Sequence, residues 1–143
     1  MHNDHNKYQN LLAQGWNGML FLLLTMFITD IVELTIQGNF QHASDFMAKD
    51  PGTRGLWLLA CLICFNVLVQ MTVRSVNSTA CRRFIFWATT LYTLFFAGHQ
   101  VRHLLAGEGW DIHFVLDTTH NIVGAWASWA AYKWAQSTTT LIK

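Results

Sequence analysis

Four stretches of about 20 mostly apolar residues follow one another along this chain, and about 20 is the length a helix needs to cross the hydrocarbon of a bilayer. They run roughly from Gly18 to Ile36, Gly55 to Val73, Phe84 to Leu105 and Ile112 to Ala135. The only proline, Pro51, falls between stretches, so no stretch is broken from within. The connections hold the turn signals Gly38-Asn39, Asp50-Pro51-Gly52, Asn77-Ser78, Gly107 and Gly109. The expected fold is an all-α integral membrane protein: one four-helix transmembrane bundle over residues 1–143.

Composition agrees with that reading and removes its rivals. Charged residues make up 12% of the chain, about half the usual quarter. That is too few to cover a soluble domain, and the apolar content excludes a disordered chain. A net charge of +1 excludes a polybasic nucleic-acid binder. Three cysteines cannot build a disulfide framework. The first stretch is read as a retained helix rather than a signal peptide. Its flank is not basic, and Asp30 and Glu33 lie within it.

The distribution of Lys and Arg sets the expected orientation. Lys7, Arg74, Arg82, Arg83, Lys133 and Lys143 fall on one side; Lys49, Arg54 and Arg102, diluted by Asp45, Asp50, Glu108 and Asp111, fall on the other. Both termini are therefore expected in the cytoplasm, with the first and third connections outside, in a bacterial inner membrane. Trp16, Trp87 and Trp134 would mark the inner interface, and Trp57 and Trp110 the outer one. The basic second connection, with Arg82 and Arg83, would need no partner beyond anionic lipid.

Ionisable groups inside a membrane are costly and mark function by default. Here they follow helical spacing. Asp30 and Glu33 are an i,i+3 pair, and His99 and His103 an i,i+4 pair. His113, Asp117 and His120 form a stripe that Gly124 and Ser128 continue, the small pair marking a helix-packing face. With alternating helix direction, Asp30, His99, Asp117 and His120 all lie about six residues, or roughly 9 Å, below the outer surface. Carboxylates and imidazoles projecting from several helices are the donor set of metal sites in bundles. The expected ligands are Asp30, Glu33, His99, His103, Asp117 and His120, with some carboxylates orienting a histidine instead. The donor types suit copper, iron or zinc, in a mono- or dinuclear site.

The function expected is that of a small membrane oxidoreductase or its accessory subunit, in a larger complex or a homo-oligomer. A divalent-metal or proton transporter is the alternative, on the His113-x-x-x-Asp117 pair. A cytochrome b-like or quinone-binding subunit is another, with haem b on His99 and His120. Against all three stands a simple polar network that fixes helix register, with Arg102 neutralising a carboxylate.

Cys61-x-x-Cys64 resembles the redox pair of membrane thiol oxidoreductases of the disulfide-bond-forming type, also four-helix proteins. That relay needs a second cysteine pair in an outer loop, which this chain does not have. Cys61 and Cys64 are therefore expected as small core residues. Asn66 and Gln70 are expected to hydrogen-bond between helices, and Tyr92, Phe95 and Phe96 to be core that could also wall a cofactor pocket.

Overall fold

The computed structural model describes residues 2–36, 53–75, 78–107 and 112–137. The described chain is all-α: α1 (His2–Ile36), α2 (Thr53–Ser75), α3 (Thr79–Leu105) and α4 (Ile112–Gln136), with no strand among the described residues. The helices start and stop where local chemistry directs. Ser78 is the N-cap of α3, its hydroxyl accepting from the Cys81 N–H at 3.2 Å. Gly107 ends α3 at φ 74°, a left-handed conformation that glycine adopts freely. Ser137 closes α4 by donating its hydroxyl to the Trp134 carbonyl at 2.7 Å.

Neighbouring helices run antiparallel. Gly15 faces Ala127 while Asp30 faces His113, so α1 and α4 run in opposite directions. Arg82 reaches Trp134 while His99 reaches Asp117, so α3 and α4 do too. Gln9 donates to the Val73 carbonyl, and Trp16 meets Phe65, which places α2 antiparallel to α1. The start of α1, the end of α2, the start of α3 and the end of α4 thus share one end of the bundle. α4 sits between α1 and α3 and packs extensively on both, whereas α2 packs on α1 and touches α3 only lightly.

The core is concentrated toward the end that holds the termini. Leu12, Trp16, Met19, Val73, Ile85, Ala127, Ala130, Ala131 and Trp134 are sealed there. α1 can approach α4 because Gly15 lacks a Cβ: one placed there would lie 2.7 Å from that of Ala127. Gly124 gives α3 the same access, since a Cβ there would lie 2.7 Å from Thr93 Oγ1. Thr93 also meets Ser128 at 3.4 Å, so the small-residue face of α4 does pack against a helix.

Several expectations change here. α1 begins well before Gly18, and its apolar stretch long enough to cross a membrane is Asn6–Val32. Among the described residues it is the one helix that clearly passes on length and composition; Leu59–Ser75 is apolar but shorter. Trp16 and Trp134 are fully buried and not interfacial. The Trp16 indole N–H donates to Thr89 Oγ1 at 3.2 Å, so the ring can be core without leaving its polar atom bare. Trp87 stays outward, while Trp57 and Trp110 lie outside the residues whose side chains are described. Cys61 and Cys64 are exposed rather than core, because α2 offers its other face to α1. Gln70 donates to Asn66 Oδ1 at 2.8 Å within α2, not between helices. Phe95 faces outward while Tyr92 and Phe96 are buried.

The surface inverts the usual distribution. Phe21, Ile28, Leu68, Met71, Phe84, Trp87, Leu91, Leu94, Val101, Val115 and Ile122 all face outward. Asn66, Arg82, Thr89, Asp117 and His120 face inward.

Candidate functional site

The six expected ligands do not converge on one point. They divide among three places, set by which face of each helix meets α4. At the end away from the termini, α4 turns His113 toward α1 and Asp117 toward α3. His113 Nε2 lies 3.5 Å from Asp30 Oδ1. One turn along α4, Asp117 Oδ2 lies 3.6 Å from His99 Nδ1. Asp117 is the buried member of its pair, whereas His99 is 46% exposed and Asp30 58%.

His103 joins His99 from the next turn of α3. Their Nε2 atoms are 3.1 Å apart and their ring centroids 4.4 Å. At that separation a neutral ring can donate to the other. His99 is therefore held on both sides, by a carboxylate at Nδ1 and an imidazole at Nε2. Arg102 is exposed between the histidines and takes part in none of the described ion pairs.

His120 lies elsewhere. It is fully buried, with its ring 4.1 Å from that of Phe96 and 5.7 Å from that of Tyr92, centroid to centroid. Neither ring nitrogen has a hydrogen-bond partner among the described residues. The side chain of Glu33 lies outside the described residues, as does that of His42. Among the described residues, no group of three or more His, Cys, Asp or Glu side chains is gathered as a metal would need.

An amide network braces the same end and was not anticipated. Gln100 Nε2 donates to Thr118 Oγ1 at 2.6 Å, and Asn121 Nδ2 donates to Gln100 Oε1 at 2.7 Å. Gln100 is the neighbour of His99, so the network ties the backbone carrying His99 to the turn of α4 that carries Asp117. The sequence signal was present: Gln100, Thr118 and Asn121 are polar residues within otherwise apolar stretches, at the depth of the ionisable groups. His113 is likewise drawn in at this end, as the partner of Asp30.

Arg82 is the other buried charge, at the opposite end, and it is not a free basic group awaiting lipid. Its guanidinium donates to the Trp134 carbonyl at 3.2 Å, to the Ser137 carbonyl and hydroxyl, and to Thr79 Oγ1 at 3.4 Å. It thereby satisfies carbonyls that the end of α4 leaves without helical partners. Burial lowers its pKa below the ordinary guanidinium value, but a guanidinium stays charged at neutral pH. Arg82 latches two helices together and has no part in the cluster around His99.

No protein-family model matches the chain, and no curated protein or solved structure matches it either.

Proposed function

We propose that this chain is a multi-pass membrane protein that binds a transition-metal ion through His99 and His103, with Asp117 orienting His99. Its role is that of a small oxidoreductase or an accessory subunit of one. The membrane part is supported by the inverted surface and by the length of the apolar stretch in α1. A polar solvent would not tolerate large apolar side chains outward on every helix with an arginine and an aspartate inward.

The metal part rests on one observation, the 3.1 Å between His99 Nε2 and His103 Nε2. Two imidazoles bound to one ion at about 2.1 Å bring their nitrogens to about 3.0–3.4 Å for angles between 90° and tetrahedral. The spacing fits two ligands of one metal, which would take the place of the ring-to-ring contact. A metal-bound histidine commonly gives its other N–H to a carboxylate, and Asp117 stands at Nδ1 of His99. Two nitrogens leave coordination positions open for water, substrate or a donor from a partner. Imidazole donors suit copper, iron or zinc.

The test is metal analysis of protein purified in detergent after growth with each metal. About one ion per chain is expected, lost in His99→Ala and in His103→Ala. Asp117→Asn should weaken binding by about 10–100-fold. Wild-type protein without stoichiometric metal defeats the metal reading. Reporter fusions test the membrane reading separately: fusions after Asn77 and Lys143 should read cytoplasmic, and a tag near Pro51 external.

A second reading, proton or divalent-cation transport, is favoured by the row His103, His99, Asp117, His113, Asp30, whose consecutive members are either in contact or one helical turn apart. Such a row can pass a proton along the end of the bundle. Flux in liposomes that disappears in Asp117→Asn would select it.

A further inference from the structure

Around Tyr92, polar atoms from three helices are buried without hydrogen-bond partners among the described residues. They are the Tyr92 hydroxyl of α3, Asn66 Nδ2 of α2, and both ring nitrogens of His120 of α4. Asn66 lies beside the Tyr92 hydroxyl without a well-formed hydrogen bond, and the Tyr92 and His120 ring centroids are 5.7 Å apart. These atoms form one cluster rather than scattered defects. Bare buried polar groups are rare and call for an explanation.

The chemistry of the cluster is one-sided. Asn66 Oδ1 already accepts from Gln70, so the unspent part of that amide is N–H. The tyrosine hydroxyl donates one hydrogen and can accept, and a neutral imidazole brings one N–H and one acceptor nitrogen. Even if tyrosine gave its hydrogen to the imidazole and accepted one N–H of Asn66, the second Asn66 N–H and the His120 N–H would remain. What they want is an acceptor oxygen. The surroundings are aromatic. Trp16 stands 5.0 Å from Tyr92 and 5.8 Å from Phe65, and Phe96 stands 4.1 Å from His120, all between ring centroids. A flat ring bearing carbonyl oxygens satisfies both conditions, since carbonyls take the donors and the ring stacks on aromatic faces. The cluster also lies where the bundle is loosely joined. Asn66 and Phe65 come from α2 and Tyr92 and Phe96 from α3, two helices that touch only lightly.

We infer that His120, Tyr92 and Asn66 bind the carbonyl oxygens of a lipid-soluble quinone, whose ring enters between α2 and α3. This rests on the membrane reading, which supplies such a ligand, and is independent of metal at His99 and His103.

The experiment uses the full chain in detergent, freed of endogenous quinone, with decylubiquinone as the probe. Saturable quenching of tryptophan fluorescence is expected from wild type. Tyr92→Phe and His120→Leu should each weaken it about ten-fold or more, the loss of one good hydrogen bond to a buried oxygen. Without quinone, Tyr92→Phe should melt at or above the wild-type temperature, because it removes a hydroxyl that has no partner. That result also shows that the variant folds. Quenching that does not saturate, or equal affinity in wild type, Tyr92→Phe and His120→Leu, overturns the site. So does a quinone-free Tyr92→Phe protein that melts lower, which would mean that an internal partner or a water already satisfies the hydroxyl. His99→Ala should bind the probe as wild type does, so failure of the metal site and failure of this one are read separately.

Discussion

The two ends of the bundle carry similar amounts of polar chemistry and treat it in opposite ways. At the end holding the termini, Arg82, Thr89 and the indole N–H of Trp16 are buried, and each has partners fixed by the fold. At the other end, Asp30, His99 and His103 contact their partners at partly or largely exposed positions, beside apolar side chains that also face outward. The difference is packing. The closed end has glycine and alanine where helices cross, so the backbones approach and water is excluded. The open end has Ile28, Ile31 and Val32 on α1 and Val101, Leu104 and Leu105 on α3, which point away from the bundle. A polar group at the closed end holds helices in place; one at the open end remains reachable by an ion or a proton.

That contrast is broken first by Trp16→Ala. It removes one of the two largest fully buried side chains of the closed end and its hydrogen bond to Thr89. A loss of about 3–5 kcal/mol is expected, read as a collapse of the thermal melt. A loss under about 1 kcal/mol would show that the closed end is not the stable half.

Two glycines sharpen it next, with opposite signs. Gly15→Ala must push α1 off Ala127 and should cost about 1–3 kcal/mol. Gly98→Ala meets nothing within 4 Å and adds a better helix former beside His99, so it should stabilise by up to about 1 kcal/mol. Melting temperatures that move in the same direction would contradict the packing difference between the ends. The smallest effect is expected from Asp30→Asn. Its contact with His113 is exposed, and such pairs contribute about 0–1 kcal/mol. A melt within a degree or two of wild type is expected, and a large drop would place Asp30 in the stable half.

Much of the helical architecture was legible from hydropathy, because apolar runs this long, bounded by turn signals, exceed the length of ordinary strands and suit helices. The helical spacing of His113, Asp117 and His120 likewise revealed which face of α4 turns inward, and Asp117 and His120 are indeed buried. What stayed hidden is rotation about the helix axis at single-residue resolution. Asp117 and His120 share a face, yet one meets His99 and the other meets Phe96. Depth placed all the ionisable groups in one layer, but depth does not say which neighbour each one faces. The tryptophans show the same gap. Trp16 and Trp87 have the composition of an interfacial belt, and only the position of Thr89 opposite the Trp16 indole reveals that one of them is core. Arg82 read as one more positive charge of a loop, because carbonyls at the end of a helix 52 residues away leave no mark near it in the sequence.

The pairing of α1 with α4 also orders events during synthesis. The face of α1 that carries Leu12, Gly15, Trp16 and Met19 is made first, and Ala127, which covers it, follows about 110 residues later. Until then the first helix has α2 alone to lean on, with its close-packing groove uncovered. A ribosome that stops before Ala127 releases a chain with its latch, Arg82, already in place and nothing for it to catch. The bundle is therefore joined only when the end of α4 closes on Arg82 at Trp134 and Ser137.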